Sequence, residues 1–179
     1  MTAIIEAAGD PDETLRSAQR GDHDAFSRLI DEHEAMVFSI ALHFFGDRDR
    51  ADEIAQDVFV RLYRSLAAIE SSSHLVFWLR QVTSRRCIDE KRRFRLRAVP
   101  LDEADARAVE SPEPDLLLER RLRELVVELP DAQRIAITLR YQEDLDPAEI
   151  CRILGIPLRT VKSHLYRALQ ALRKKLGDC

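Results

Sequence analysis

The sequence predicts an all-α fold with two small helical domains joined by an acidic linker. Apolar residues recur every three or four positions through most of the chain, and this spacing covers one side of a helix. No run shows the strict apolar–polar alternation that is typical of strands. Glycine and proline, which interrupt helices, are both missing between Gly46 and Pro100. The second domain is predicted to end in a helix-turn-helix.

The first domain is predicted over residues 23–97, after a polar and acidic N-terminal tail of residues 1–22. Asp22 or Asp24 is placed to accept hydrogen bonds from the free N–H groups at the start of a first helix. Gly46 is expected to end this helix, because glycine readily adopts the left-handed conformation that closes helices. The apolar side of the helix is predicted to lie in the core.

Two more helices follow in this domain. One runs from about Arg50 to Leu66 and has a regular apolar stripe, which includes Tyr63 and is predicted to be buried. A serine-rich break over residues 67–73 comes next, since serine side chains compete with the helical backbone for hydrogen bonds. The helix after it begins with an apolar side and becomes strongly basic from Arg85 onward. The position of Trp78 on the apolar stripe favours packing in the core over stacking on nucleic-acid bases.

Residues 98–116 are predicted to form the linker, because helical periodicity stops there and three prolines occur together with six acidic residues. The second domain follows over residues 117–179 with four predicted helices. Pro130 separates the first two of them. The apolar stripes predicted to be buried include Leu122 in the first helix and Leu176 in the last. At about 60 residues this domain is small but large enough to fold.

The last two predicted helices form the helix-turn-helix. Asp146 is placed to cap the first of them, Pro147 occupies a position where a missing N–H costs nothing, and Glu149 completes a capping box. Gly155 is expected to end this helix and to start a short turn. The second helix begins near Leu158.

One side of this second helix is apolar and the other side is basic. From Leu158 to Lys175 the sequence has six Lys or Arg residues and no Asp or Glu. Such a face suits the major groove of DNA, where arginine and lysine reach base edges and phosphates. The alternative is a solvent-exposed basic face, with cations favoured by the helix dipole near the C-terminus. The agreement of capping, turn and charge favours DNA binding.

The net charge of −4 hides a segregated charge distribution. Residues 85–97 carry seven Lys or Arg against two acidic residues, whereas residues 1–34 and 98–119 are acidic. Two basic blocks separated by acidic sequence indicate a surface that binds a polyanion.

Several classes of protein are disfavoured. Three widely spaced cysteines without a CxxC motif suit a reducing cytoplasm. The cysteines and histidines form no metal-ligand pattern, and no nucleophile–base pair supports an enzyme, so neither a metal nor another cofactor is expected. The most apolar run, residues 36–45, is well short of the roughly 18 residues of a membrane span. Because no signal peptide opens the sequence either, membrane insertion is not expected.

Four segments, taken in order, resemble the conserved regions of one family. They are DAFSRLIDEH, ADEIAQDVFVRLYRSL, SHLVFWLRQVTSRRCIDEKRR, and LPDAQRIAITLRY followed by PAEICRILGIPLRTVKSHLYRAL. They are similar to a first conserved region, a polymerase-binding helix, a segment that melts and recognises the minus-ten element, and a minus-thirty-five domain. From Asp24 to Leu176 the chain therefore resembles an extracytoplasmic-function (ECF) sigma factor, the minimal group of the sigma-70 family.

The resemblance implies a transcription initiation factor and no enzymatic chemistry of its own. Residues 23–97 would be sigma region 2, and residues 117–179 would be sigma region 4. The loop from Ala67 to His74, which contains the serine-rich break, would enclose an unstacked promoter base. The implied partners are the clamp of the largest subunit of core RNA polymerase, the polymerase flap, promoter DNA and an anti-sigma factor.

The resemblance also assigns residues to each contact. The helix predicted from about Arg50 to Leu66 has a polar side that composition alone describes as an ordinary solvent-exposed face. The resemblance implies that this side binds core polymerase through Asp52, Glu53, Gln56 and Asp57. Contacts to the minus-ten element are implied for Ser72, His74, Trp78, Arg85, Arg86, Asp89, Lys91, Arg92 and Arg93. Contacts to the minus-thirty-five element are implied for Arg159, Thr160, Lys162, Ser163, His164 and Arg167.

Two other functions fit parts of the pattern. A free-standing helix-turn-helix regulator would bind DNA tightly without polymerase. It would not need the polar side of the helix predicted from about Arg50 to Leu66. A helical adaptor that binds only protein would leave both basic helices in solvent and would show no salt-dependent affinity for DNA.

Overall fold

The structure is a computed structural model that describes residues 11–97 and 114–177. The all-α prediction is confirmed, since these ranges contain helices and no strand. We call α1–α4 the N-terminal half and α5–α8 the C-terminal half, and a 3-10 turn at Leu66–Ala68 follows α3. The helices are α1 Pro11–Gln19, α2 His23–Phe45, α3 Arg48–Ser65, α4 Ser72–Arg97, α5 Pro114–Val127, α6 Asp131–Tyr141, α7 Pro147–Leu154 and α8 Leu158–Gly177.

Both ends of α2 follow the predicted local signals. Oδ1 of Asp22 accepts a hydrogen bond from the N–H of Ala25 at 3.0 Å, so Asp22 rather than Asp24 is the cap. Gly46 ends the helix with a φ of 69°, which favours glycine. A Cβ on Gly46 would lie 2.8 Å from Cγ2 of Val127 in α5. The same glycine therefore closes α2 and lets the C-terminal half approach it.

The predicted capping box of α7 is present. Oδ1 of Asp146 accepts hydrogen bonds from the N–H groups of Ala148 at 2.7 Å and Glu149 at 2.8 Å. Oε2 of Glu149 accepts a hydrogen bond from the N–H of Asp146 at 2.8 Å. Gly155 then ends α7 with a φ of 66°. The helix-turn-helix thus begins and turns where the sequence places it.

The N-terminal segment of the chain differs from its prediction as a tail over residues 1–22. Residues 11–19 of that segment form α1, and residues 1–10 lie outside the described residues. Leu15 and Ala18 are buried in the core against α2. Two apolar positions one turn apart are too few to stand out as a stripe, which is why the sequence pattern did not reveal this packed helix.

The linker predicted over residues 98–116 lies mostly outside the described residues, up to residue 113. Its last three residues belong to α5, which begins at Pro114 rather than at residue 117. Proline is well suited to the first turn of a helix, because the N–H it lacks would have no partner inside the helix there. Residues 178–179, at the end of the predicted second domain, also lie outside the described residues.

The two halves share one hydrophobic core. The main cluster of buried side chains joins Leu75 and Leu79 of α4 to residues of α6, α7 and α8. A smaller cluster lies inside the C-terminal half, between α5, α6 and α8. The residues that the C-terminal half contributes to the main cluster are Ile135, Leu139, Leu145, Ile150, Ile153 and Val161.

A buried arginine links the halves at the end of α2. Arg134 of α6 is 3% exposed, and its Nη1 donates a hydrogen bond to the carbonyl of Phe44 at 2.9 Å. Its Nη2 donates to the carbonyls of Val127 and, at 2.8 Å, Leu129. The guanidinium carbon also lies 5.0 Å from the centroid of the Phe44 ring. Arg134 therefore satisfies backbone carbonyls that would otherwise be buried without partners.

Polar contacts also join α4 to the C-terminal half. Nη2 of Arg80 lies 3.0 Å from Oε2 of Glu143, and both side chains are largely buried. Nε2 of Gln81 donates a hydrogen bond to the carbonyl of Ile153 in α7 at 3.4 Å. The middle of α4 thus packs against the first helix of the helix-turn-helix.

Candidate functional site

The polar side of α3 lies on the surface of the N-terminal half. Asp52, Glu53 and Gln56 are exposed, and Asp57 is half-buried. Asp52 and Glu53 lie in the second turn of α3, beyond the first turn in which the helix dipole favours negative charge. The four residues predicted to bind core polymerase are therefore accessible, with Asp57 at the inner edge.

Beside this polar side lies a groove of about 1030 Å³ between α2 and α3, which we call the α2–α3 groove. Asp52 and Gln56 line it. Val60 and Tyr63 are 48% and 55% exposed along it, although the sequence pattern placed Tyr63 among the buried residues. The Tyr63 ring packs edge-on against Phe26, with ring centroids 5.2 Å apart. The groove therefore combines polar ends with an apolar floor that sequence reasoning missed.

Asp57 connects the polar side of α3 to α4. Its Oδ2 lies 3.0 Å from Nε of Arg61 and 2.5 Å from Nε of Arg86. The Arg86 side chain is only 12% exposed, and its Nη2 lies 3.9 Å from Oε2 of Glu90. The structure thus brings together one residue predicted to bind polymerase and one predicted to bind DNA, as an ion pair inside the fold.

The α3–α4 connection, residues 66–71, corresponds to the predicted serine-rich break. Ser72 begins α4, and its N–H and hydroxyl both donate to Oδ1 of Asp12, at 2.8 and 2.6 Å. The hydroxyl and then the amide hydrogen bond hold the pKa of Asp12 below its ordinary value. His74 turns back toward the connection, where its Nδ1 accepts the N–H of Glu70 at 3.1 Å.

The remaining predicted minus-ten residues line α4. Trp78 is half-buried and packs against the main core cluster, as its spacing indicated. Phe94 follows Arg92 and Arg93 in the basic part of α4 and is 45% exposed. The guanidinium carbon of Arg50 lies 4.2 Å from the centroid of its ring. Sequence reasoning did not single out Phe94, although its place inside a basic run was visible. In the basic C-terminal part of α4, Lys91 is half-buried. The exposed residues there are Arg85, Asp89, Arg92 and Arg93.

The second helix of the helix-turn-helix, α8, presents its basic face to solvent. Arg159, Lys162 and Arg167 are exposed, and none of the three forms an ion pair within the described residues. Thr160, Ser163 and His164 are half-buried between them. The opposite side of α8 is buried through Val161, Ala168 and Leu172. All six residues predicted to contact the minus-thirty-five element therefore lie together in the first three turns of one helix.

A second groove, which we call the α5–α8 groove, has a volume of about 570 Å³. Helices α5, α6 and α8 form most of its lining. Leu122, Tyr141 and Leu176 are exposed at this groove. The sequence pattern predicted Leu122 and Leu176 on buried stripes, so the structure corrects both positions. Arg123 and Arg173 add positive charge to the lining.

The part of the chain that comprises residues 11–97 and 114–177 has no cluster of three His, Cys, Asp or Glu side chains arranged to hold a metal ion. None of its helices combines the length and the apolar character needed to cross a bilayer. Cys87 is buried in the core, and burial raises the pKa of its thiol to about 12, so it packs as an inert side chain.

Comparison with known proteins identifies the two halves. The model of sigma-70 region 2 matches residues 29–97, and the model of sigma-70 region 4 matches residues 119–172. The ECF RNA polymerase sigma factor SigW of Bacillus subtilis is 28% identical over 178 residues, which cover 92% of this chain and 95% of SigW. The chain belongs to the ECF group of the sigma-70 family. The ECF sigma-E factor of Escherichia coli K12 is also 28% identical, over 90% of this chain and 92% of that protein.

Solved structures share the fold of this sigma factor. CnrH, solved in complex with the cytosolic domain of CnrY, has a TM-score of 0.70 at 20% identity and covers 94% of this chain and 97% of CnrH. The sigma factor RpoE of Bartonella quintana, solved with the anti-sigma factor NepR, has a TM-score of 0.69 at 21% identity. That match covers 85% of this chain and 96% of RpoE. Family membership makes the protein a transcription initiation factor.

Proposed function

We propose that this protein binds core RNA polymerase in the cytoplasm and directs it to specific promoters, where region 2 recognises and melts the minus-ten element and region 4 binds the minus-thirty-five element. One observation carries the proposal. A single chain presents an exposed basic helix face, whose Arg159, Lys162 and Arg167 have no ion-pair partner among the described residues, and a separate amphipathic groove between α2 and α3. The first surface suits DNA, and the second suits a protein helix.

The α2–α3 groove is the proposed seat of the polymerase clamp. An amphipathic helix that lies in a groove needs an apolar floor for affinity and polar ends for register. Val60 and Tyr63 supply exposed apolar surface, and Asp52 and Gln56 line the same groove. Glu53 lies next to Asp52 on the exposed surface and extends the acidic character. Asp57 is half-buried at the inner edge of the polar side of α3, where it pairs with Arg61 and Arg86.

The α5–α8 groove is the proposed seat of the polymerase flap. Its exposed leucines and tyrosine form an apolar surface on a small domain, and such surfaces commonly mark protein contacts. A helical or loop segment with apolar side chains would fill it. The positive charge of Arg123 and Arg173 would favour an acidic segment.

The minus-ten element is proposed to bind along α4. Ser72 and His74 lie where the helix begins, next to the connection that would enclose an unstacked base. Phe94 offers an exposed ring for stacking beside the cations, while Trp78 supports the surface from its core side. Arg86 would act through Asp57. The proposed direct contacts farther along α4 are Arg85, Asp89, Lys91, Arg92 and Arg93.

The minus-thirty-five element is proposed to bind the basic face of α8. Arg159, Lys162 and Arg167 lie on the exposed side of the helix, where long cationic side chains reach base edges or phosphates. The shorter polar side chains of Thr160, Ser163 and His164 lie between them and are placed for closer contacts.

Binding both promoter elements requires the two halves to separate. The elements are named for positions 25 base pairs apart, which corresponds to roughly 85 Å along B-DNA. In the structure α4 packs directly against α7, and one core joins the halves. The contacts of Arg80 with Glu143 and of Gln81 with Ile153 must therefore break before both faces engage one promoter.

An anti-sigma factor is a further proposed partner. The sigma factor RpoE, which shares this fold, was solved bound to the anti-sigma factor NepR. A protein that filled the α2–α3 groove or held the halves together would compete with polymerase or with promoter binding.

Run-off transcription with purified core polymerase tests the proposal. We expect discrete transcripts from some promoters with the wild-type protein and none with Asp52→Arg, which reverses charge in the α2–α3 groove. Glu32→Arg is the control, because Glu32 is exposed on α2 and does not line the groove. Absence of wild-type transcripts, together with a specific shift of promoter DNA by the protein alone, would favour a free-standing regulator. Absence of any salt-dependent DNA affinity, with or without polymerase, would favour a protein-binding adaptor.

A further inference from the structure

Helix α1 is tied to both ends of the α3–α4 connection. Near the start of the connection, Nε2 of Gln19 donates hydrogen bonds to the carbonyls of Leu66 at 3.0 Å and Ile69 at 2.7 Å. At the other end, Oδ1 of Asp12 accepts both the N–H and the hydroxyl of Ser72, at 2.8 and 2.6 Å. These contacts link residues 47 to 60 positions apart in the chain, so the short connection is held from outside.

The contacts of Asp12 add to the N-terminal cap of α4. A helix begins with four N–H groups that lack partners inside the helix. Oγ of Ser71 accepts the N–H of His74 at 3.2 Å, which is the usual local cap. Asp12 accepts the N–H of Ser72, which the local cap leaves free. Because Asp12 is a carboxylate, it also interacts favourably with the positive end of the helix dipole.

Helix α1 provides a fixed support for these contacts. Leu15 and Ala18, which lie between Asp12 and Gln19, are buried in the main core cluster. The side chain of Asp12 therefore reaches α4 from a packed helix and not from a free end. In contrast, Ala67, Ala68 and Glu70 of the connection are exposed to solvent, as is Ser73 at the start of α4.

An exposed loop with fixed ends is the arrangement that a base-binding pocket requires. Unstacking a base costs a few kcal/mol, and enclosure in a pocket offsets that cost only if the pocket needs little ordering. Supports that hold the backbone in advance reduce the entropy lost on binding. The contacts from α1 add to the supports that the connection has of its own, which are the burial of Leu66 and Ile69 and the local cap at Ser71.

We infer, resting on the proposed function, that Asp12 and Gln19 are positioning residues for promoter opening. They hold the α3–α4 connection in the shape that receives an unstacked base of the minus-ten element. Neither residue needs to touch DNA. Their loss lowers the affinity for the opened strand, while binding of core polymerase and of the minus-thirty-five element is unchanged.

The test compares Asp12→Ala and Gln19→Ala with the control Glu13→Ala, which removes an exposed carboxylate from the same turn of α1. Each protein is combined with core polymerase on a promoter that carries 2-aminopurine in the minus-ten element, and the fluorescence rise reports base unstacking. A second promoter with a mismatched, pre-opened minus-ten region separates opening from all other steps.

We expect Asp12→Ala and Gln19→Ala to reduce opening of the duplex promoter about tenfold, the size of effect that one lost positioned contact produces. We expect both to weaken discrimination between bases at the unstacked position, whereas Glu13→Ala matches the wild type. Asp12→Glu, which keeps the carboxylate, should restore part of the opening. Polymerase affinity and the thermal unfolding midpoint serve as controls for a general loss of structure.

Two results would overturn the inference while the proposed function stands. One is that the wild type opens promoters and that Asp12→Ala and Gln19→Ala leave opening and base discrimination unchanged. The other is a loss of opening that parallels a loss of polymerase affinity or of thermal stability in both variants, since that marks a merely structural role. A wild type that neither binds polymerase nor opens any promoter would instead refute the proposed function and the inference with it.

Discussion

The two basic helices, α4 and α8, use their cations in different ways. In α4, Arg80 and Arg86 are largely buried and pair with Glu143 and Asp57. In α8, Arg159, Lys162 and Arg167 form no ion pair within the described residues, although Lys175 near the end of the helix pairs with Glu128. The difference indicates that α4 is coupled to the polar side of α3 and to the C-terminal half. The exposed basic face of α8, proposed to bind the minus-thirty-five element, has no such coupling through Arg159, Lys162 or Arg167 within the described residues. Substitutions in α4 should therefore affect several properties at once, and substitutions in α8 only one.

Arg134 is the extreme case of a cation tied into the fold, so its loss should have the largest effect. Arg134→Ala leaves the carbonyls of Phe44, Val127 and Leu129 without their donor, and we expect the free energy of unfolding to fall by about 3 kcal/mol or more. Arg159→Ala, on the exposed face of α8, should change it by less than about 0.5 kcal/mol. Urea denaturation measures both. Equal losses in the free energy of unfolding for the two variants would contradict the contrast between buried and exposed cations.

Arg86→Ala should have an intermediate effect. The substitution removes a charge-assisted hydrogen bond to Asp57, and we expect a loss of about 2 kcal/mol in the free energy of unfolding. Arg85→Ala is the matched control, because Arg85 is the exposed neighbour on the same helix. A double-mutant cycle with Asp57→Ala isolates the pair, and additive losses would show that the two side chains do not interact.

The hydrogen bonds of Asp12 should produce the smallest effect, as a dependence of stability on pH. Because the pKa of Asp12 is lowered in the folded protein, its contribution is complete above the unfolded pKa near 3.8 and is lost as the pH falls toward the folded value. Between pH 5 and pH 3 the wild type should lose more stability than Asp12→Asn. Urea denaturation at both pH values measures this loss, with Glu13→Gln as control. Equal losses in the wild type and Asp12→Asn would contradict the assignment.

The sequence predicted the features that depend on neighbouring residues. The cap at Asp146 and the helix end at Gly155 depend on three or four adjacent residues, and both are where the pattern placed them. For α2 the pattern left Asp22 and Asp24 as alternatives, and the structure selects Asp22. The basic face of α8 was also readable, because helical periodicity alone puts its cations on one side.

The features that the sequence did not predict depend on distant parts of the chain. An apolar stripe shows which residues face a neighbouring helix, but not whether that helix covers them, so Tyr63 and Leu122 were placed in the core instead of on grooves. The pairing of Asp57 with Arg86 joins positions 29 residues apart. Nothing next to Arg134 in the sequence distinguishes it from an exposed arginine, although it is buried.

Footprinting of the polymerase complex on one promoter tests the central contrast most directly. We expect the double variant Arg159→Ala and Lys162→Ala to lose protection at the minus-thirty-five element while protection around the minus-ten element remains, because each good base contact is worth about 1–3 kcal/mol. Arg86→Ala should weaken both protected regions together, through the coupling of α4 to the polymerase-binding side. Footprints unchanged by the α8 substitutions would contradict the account of α8 as the minus-thirty-five reading surface.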